Sequence, residues 1–255
     1  MRAHRTLLAV VALVCGGLAV ALWASPGAPA QAPGAPSAAP GGGDARAGRA
    51  LFVDGCSTCH GMDARGIPGR APSLVGAGAA AADFYLRTGR MPLPSPGQEP
   101  VRADPVYGER RIRDLVAYVG SLGAGPAIPR VDPAAGDLAR GRAVFTTQCA
   151  GCHQVVGRGG IMPGGVAPAL QEASATQIAE AVRVGPFLMP AFSERQLGRR
   201  DLDSVARYVL WTRSPADAGG WGIGNLGPIP EGMVAWLMAG VALLCVARLL
   251  GERTA

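Results

Sequence analysis

The chain has 255 residues and a formal net charge of +6, with 24 basic side chains, all of them arginine, against 18 acidic ones. That length allows two modest domains, and the even spread of charge leaves no basic block, so nucleic-acid binding has no support. Aromatic residues make up only 5% of a chain that holds 38 glycines and 22 prolines. A small domain of this composition is short of large apolar side chains and needs something else at its centre.

In chain order, Leu7–Trp23 is a run of seventeen uncharged residues preceded by Arg2 and Arg5. Residues 1–24 therefore read as a signal peptide or a membrane anchor. Ala28-Pro29-Ala30 is an unpromising cleavage site because of its internal proline. Cys15 follows Val14 rather than a small residue, which makes it an apolar filler and not a lipoprotein cysteine. Residues 25–43 are rich in Ala, Pro and Gly and are expected to form an extended or disordered tether.

The first unit, 44–124, opens with Gly48-Arg49-Ala50-Leu51-Phe52, expected to be a short helix. It leads into Cys56-Ser57-Thr58-Cys59-His60. Cys-x-x-Cys-His is the attachment signature of a c-type haem: the two thiols add to the haem vinyl groups, and the histidine is held under the iron as proximal ligand. Then come Ala71-Pro72-Ser73-Leu74, the pair Met91-Pro92, a Pro-rich stretch over Leu93–Tyr107, and an amphipathic stretch over Ile112–Leu122 with helical spacing. After a linker at 125–134 the same order returns in 135–213. Gly141-Arg142-Ala143-Val144-Phe145 precedes Cys149-Ala150-Gly151-Cys152-His153. Ala167-Pro168-Ala169-Leu170, Met189-Pro190 and an amphipathic stretch over Leu202–Trp211 follow. The chain is a two-copy repeat of about ninety residues, with two covalently bound haem c groups expected on Cys56 and Cys59 and on Cys149 and Cys152.

Other uses of paired cysteines fit less well. A structural zinc site does not need a histidine after each pair. A thioredoxin-like site expects one pair in a βαβ pattern. A disulfide framework explains neither the histidines nor the repeat. The chain holds three histidines, His4, His60 and His153, and His4 precedes the N-terminal apolar run, so the exported part has no spare imidazole for a sixth iron ligand. Methionine is the natural candidate, a soft neutral thioether that raises the potential. Met62, two residues past His60, cannot reach the opposite haem face, which leaves Met91. In the second unit Met162 and Met189 both precede proline. Met189 aligns with Met91 and stands just before the final helix, whereas Met162 is expected beside the haem or in the loop. The axial sets are thus His60 with Met91 and His153 with Met189. An iron closed on both faces passes an electron and offers no open site, so no catalytic residue is expected on this chain alone. The loop insertions, Leu93–Tyr107 and Gly157–Gly165, read equally well as partner-docking surfaces or as tolerated surface loops.

A Gly-rich linker at 214–230 leads to a last apolar run, Met233–Ala247, followed by Arg248, Leu249 and Leu250. A buried core helix would also fit. Trp236 near one end and Arg248 and Arg253 at the other favour a membrane anchor over 231–250. Arginines at both chain ends place both termini in the cytoplasm if the N-terminal segment is retained. The two haem units then lie outside the cell membrane, where haem attachment takes place.

The order of helix, Cys-x-x-Cys-His, Pro-x-Leu loop, methionine and C-terminal helix resembles the class I cytochrome c fold. The resemblance implies an all-α chain of two tandem class I cytochrome c domains plus a C-terminal transmembrane helix and the N-terminal apolar segment. It also implies crossing terminal helices, with Gly48 and Phe52 against Tyr118 and Gly141 and Phe145 against Tyr208. The whole chain, including Gly227-Pro228-Ile229-Pro230-Glu231-Gly232 and Gly185-Pro186 before Met189-Pro190, resembles the dihaem cytochrome c subunit of actinobacterial menaquinol–cytochrome c reductase. That likeness implies a cytochrome b subunit and a Rieske iron–sulfur subunit as partners. In it the first unit receives the electron from the Rieske cluster, and the second passes it to a cytochrome aa3 oxidase. A dihaem subunit of another membrane dehydrogenase, or a free-standing anchored shuttle, is the alternative. A dihaem peroxidase is more remote, since it requires an open haem site.

Overall fold

The computed structural model describes residues 42–215 and 228–251. The N-terminal apolar run lies outside the described residues. Residues 42–215 form two helical domains in sequence, and the last helix belongs to a separate unit.

The first domain contains α1 (Ala45–Gly55), α2 (Ser57–His60), α3 (Gly78–Arg87) and α4 (Glu109–Ser121). Asp44 caps α1 by accepting from the Arg46 and Ala47 amides, as a short polar side chain at that position should. Its own amide donates to Asp114 Oδ1 at 2.8 Å, which ties the start of α1 to α4. The two helices cross at Gly48, where a Cβ would lie 1.9 Å from the Asp114 carbonyl oxygen. The Phe52 and Tyr118 rings pack beside the crossing, centroids 5.2 Å apart. Leu86, Ile112, Leu115, Val116 and Val119 complete this core.

The second domain repeats the plan with α5 (Leu138–Gln148), α6 (Ala150–His153), α7 (Ala175–Val184) and α8 (Arg199–Trp211). Asp137 caps α5. Gly141 meets the Ser204 carbonyl, a Cβ there falling 2.0 Å from the oxygen, and Phe145 packs on Tyr208 at 5.3 Å. Both expected glycine–aromatic crossings are therefore present. The difference between the domains is a two-stranded antiparallel hairpin, β1 (Gly160–Met162) and β2 (Gly165–Ala167), with Gly160 opposite Ala167. It stands where the first domain has a single bridge between Ile67 and Ala71, so the second-unit insertion is a lengthened version of that bridge.

Neither α3 nor α7 is among the helices expected from the repeat. α7 has a full capping box, Ser174 with Gln177, a signal that is visible in the sequence. These two helices pack on each other and join the domains. The segment expected as a linker is fastened at both ends. The Pro126 carbonyl accepts from the Ala80 amide at 3.0 Å, Ile128 packs on the first core, Val131 packs on the second-domain clusters, and the Asp132 amide donates to Asp203 at 2.8 Å. The Leu93–Tyr107 insertion is structural as well. Its Arg102 donates to the Glu172 carbonyl at 2.8 Å and to Gln177 Oε1 at 2.9 Å across the domain boundary. Tyr85 and Phe187 meet across the same boundary, edge to face, at 6.0 Å.

The last helix, α9 (Pro228–Gly251), has 24 residues, about 36 Å of helix against an apolar bilayer thickness of about 30 Å. Gly232–Gly251 has a mean hydropathy of 2.2 and is not buried among the described residues. A core helix would be covered, so length, composition and exposure together mark a membrane anchor.

Candidate haem-binding sites

Each Cys-x-x-Cys-His string folds as a short helical turn directly after the helix that precedes it. In the first domain the Cys56 amide ends α1 by donating to the Phe52 carbonyl at 2.8 Å, and the His60 amide donates back to Cys56 at 3.0 Å. The second domain has the same bonds at Cys149 (2.8 Å) and His153 (2.9 Å). One helical turn thus carries two thiols and an imidazole in a fixed order. The chain leaves the turn through a left-handed residue, Gly61 with φ 77° and Gln154 with φ 59°. It then closes a loop with the Gly66 amide on the His60 carbonyl and the Gly159 amide on the His153 carbonyl. Both glycines are required by close approach. A Cβ on Gly66 would lie 2.6 Å from the Pro72 carbonyl carbon, and one on Gly159 would lie 2.3 Å from the Ala167 oxygen.

That loop brings a proline carbonyl to each histidine. Nδ1 of His60 is 2.9 Å from the Pro72 oxygen, and Nδ1 of His153 is 3.1 Å from the Pro168 oxygen. A carbonyl only accepts, so Nδ1 carries the proton and Nε2 keeps its lone pair free, the tautomer a metal-binding imidazole needs. The Ala-Pro-x-Leu strings stand out in the sequence, but this role does not: it depends on the loop folding back by twelve or fifteen residues. For His153, burial pulls the ring pKa down while the bond to Pro168 pushes it back up.

The remaining donors fit a c-type haem. None of Cys56, Cys59, Cys149 and Cys152 is in a disulfide, so all four can form thioether bonds. Burial, reinforced by the second thiol of each pair, pushes Cys56 and Cys149 up to about 11, so both are neutral and sit in apolar surroundings. Met91 is half-buried and packs on the first core, the same cluster that Cys56 touches. In the second domain the core is divided. Cys149 lies with Phe145, Ile178, Val205 and Tyr208, whereas Met189 lies with Ala179, Val182, Leu197 and Leu202. In this domain Cys149 and Met189 thus pack on different clusters, joined through Val131 and Val144. Met162 lies in β1, and Met62 is 63% exposed. Among the described residues no cluster of three His, Cys, Asp or Glu side chains offers a separate metal site.

Comparison with known proteins agrees with this geometry. Residues 45–123 match the model of the family "Cytochrome c", and 136–209 match "Cytochrome C oxidase, cbb3-type, subunit III". The "Cytochrome bc1 complex cytochrome c subunit" of Mycobacterium bovis is 36% identical, the match covering 97% of this chain and 90% of the relative. The protein of the same name from Corynebacterium diphtheriae is also 36% identical, covering 81% of this chain and 80% of the relative. The chain belongs to this family. It is an electron carrier with two covalently bound haem c groups. A weaker likeness, 29% identity over 64% of this chain and 60% of the relative, runs to the "Cbb3-type cytochrome c oxidase subunit CcoP" of an Azospirillum strain.

Proposed function

We propose that this chain carries electrons, one at a time, from the Rieske centre of a menaquinol–cytochrome c reductase to a terminal cytochrome c oxidase. The observation that carries this reading is the likeness to the bc1 relatives, which runs through both haem domains and the C-terminal anchor. A bound haem supplies reversible one-electron chemistry. The chain supplies the rest. His60 and Met91 bind the first iron, His153 and Met189 the second, and the Pro72 and Pro168 carbonyls orient the two imidazoles. The apolar walls keep water from both sites.

The partners follow from the same reading: a cytochrome b subunit, a Rieske iron–sulfur subunit and, downstream, a cytochrome aa3 oxidase. The haem domains stand outside the cell membrane, and the C-terminus lies in the cytoplasm. Solubilisation in mild detergent and affinity capture of the full chain tests this directly. Cytochrome b and Rieske protein co-purify, and menaquinol reduces the chain's haems. Their absence from the captured material overturns the assignment. The cbb3-type likeness supports a second reading, a dihaem subunit of another membrane oxidoreductase, which the same capture identifies by its different subunits.

A further inference from the structure

The α3–α7 contact holds an acid pair that the haem sites do not use. Glu180, on α7 of the second domain, has no solvent exposure, and Asp83, on α3 of the first, is 4% exposed. Neither Glu180 carboxyl oxygen meets an N–H or O–H donor among the described residues. Its helix packs on α3, and from there the Asp83 carboxyl acts on it and favours its protonated form. Asp83 is engaged on its own helix: Arg87 Nε lies 2.8 Å from each of its oxygens, and the far side of the same guanidinium is bonded to Glu109.

An ionised Glu180 would be a fully buried charge with no donor and an anion in front of it, an arrangement that costs several kcal/mol. A protonated Glu180 has one O–H to donate, and Asp83, whose oxygens both meet Arg87 Nε, is the acceptor. We infer that Glu180 is a positioning residue for the two haem domains: it keeps its proton, hydrogen-bonds through it to Asp83, and so latches α7 of one domain to α3 of the other. The inference rests on the electron-carrier role and is independent of which proteins flank the chain. Nothing in the amphipathic pattern of α7 requires an acid at this place, between Ala179 and Val182 on the buried face.

The other charged groups around the pair are committed elsewhere. Arg102 bonds Glu172 and Gln177. Arg183 bonds the Phe192 and Leu197 carbonyls. Asp203 on α8 accepts from the Asp132 amide. Among the described residues Arg87 is the cation acting on Glu180, and its pull is outweighed by burial and by Asp83, which raise the carboxyl from 4.5 to about 10.

The sign of the pH dependence follows. With the domains parted, Glu180 is exposed and titrates near its ordinary value; with them docked it holds its proton up to about pH 10. Between those limits docking takes up one proton, so the docking constant falls up to about tenfold per pH unit as pH rises.

The test uses the haem-loaded full chain in contrast-matched detergent. Infrared spectra of the wild type should show the carbonyl stretch of a protonated carboxylic acid at neutral pH. Glu180→Gln should lack it. Scattering across a urea series reads the parting of the domains. Its midpoint should fall with pH in the wild type and lose that pH dependence in Glu180→Gln, whose amide stays neutral throughout. Should Glu180→Gln fail to bind haem, Asp83→Asn is the second variant. It should keep the acid band but lose it at a lower pH, because the neighbouring anion is gone. An unchanged infrared spectrum in Glu180→Gln, an equally steep pH dependence of its domain parting, or an unmoved titration in Asp83→Asn overturns the inference. None of these results depends on capture of a partner.

Discussion

Gly48 lies so close to Asp114 that a Cβ on it would fall 1.9 Å from the Asp114 carbonyl oxygen and 2.8 Å from Tyr118 Cβ. Gly141 stands to Ser204 and Tyr208 in the same way, at 2.0 and 3.0 Å. Helix backbones have little room to retreat from such a contact, so Gly48→Ala and Gly141→Ala should each destabilise their domain by about 1–3 kcal/mol. Chemical denaturation of the haem-loaded protein, followed at the haem absorption, measures the effect. A variant as stable as the wild type would show that the crossing is looser than described.

Met91 and Met189 each have the amide bonded back into the preceding segment, to the Tyr85 and Pro186 carbonyls respectively. With the sulfur as sixth ligand, Met91→Leu and Met189→Leu should each abolish about half of the methionine–iron charge-transfer band and turn one haem high-spin. Met162→Leu should leave the band intact. Loss of the band in Met162→Leu would reassign the second axial ligand.

The two tyrosines at the helix crossings differ in their hydroxyl groups. Tyr208 donates to the Val155 carbonyl at 2.7 Å, whereas Tyr118 has no such acceptor among the described residues. Tyr208→Phe should therefore cost about 1 kcal/mol of stability, and Tyr118→Phe much less. Equal losses in the two variants, measured in parallel denaturation curves, would show that the bond to Val155 contributes nothing.

Arg87 sets an acid-side dependence as well. Its hydrogen bond to Glu109, opposed by partial burial, holds that carboxyl below its ordinary value. A depressed carboxylate stabilises the fold above its unfolded pKa, and that stabilisation is lost as pH falls through the folded value. Glu109 is mostly exposed, so the effect is small and screened by salt. Stability curves of Glu109→Gln and wild type should converge at acid pH and separate above the ordinary carboxylate range. Curves that stay parallel throughout would remove Glu109 from the network.

The chain's order along the repeat was open to sequence reasoning because its signals are local. Cys56, Cys59 and His60 share one helical turn, as do Cys149, Cys152 and His153, so five consecutive residues are enough to specify a haem attachment site. The pairing of Gly48 and Phe52 with Tyr118 followed from the repeat and a family likeness, and the structure places those side chains together. The anchor was legible because about twenty apolar residues in a row have few soluble uses.

What the sequence left undecided is non-local. Leu93–Tyr107 and Gly157–Gly165 read equally as docking surfaces and as idle loops. Folding shows Arg102 reaching the second domain and the other insertion closing into β1 and β2. The carbonyls that orient His60 and His153 belong to backbone, which carries no sequence signature. Asp83 and Glu180 are ninety-seven positions apart, and each alone looks like an ordinary helical acid. Only the packing of α3 on α7 removes water from both and leaves Glu180 facing Asp83 without another donor. Local covalent order determined that this chain holds two haems; burial and proximity, which exist only in the folded chain, decided how the two domains are held together.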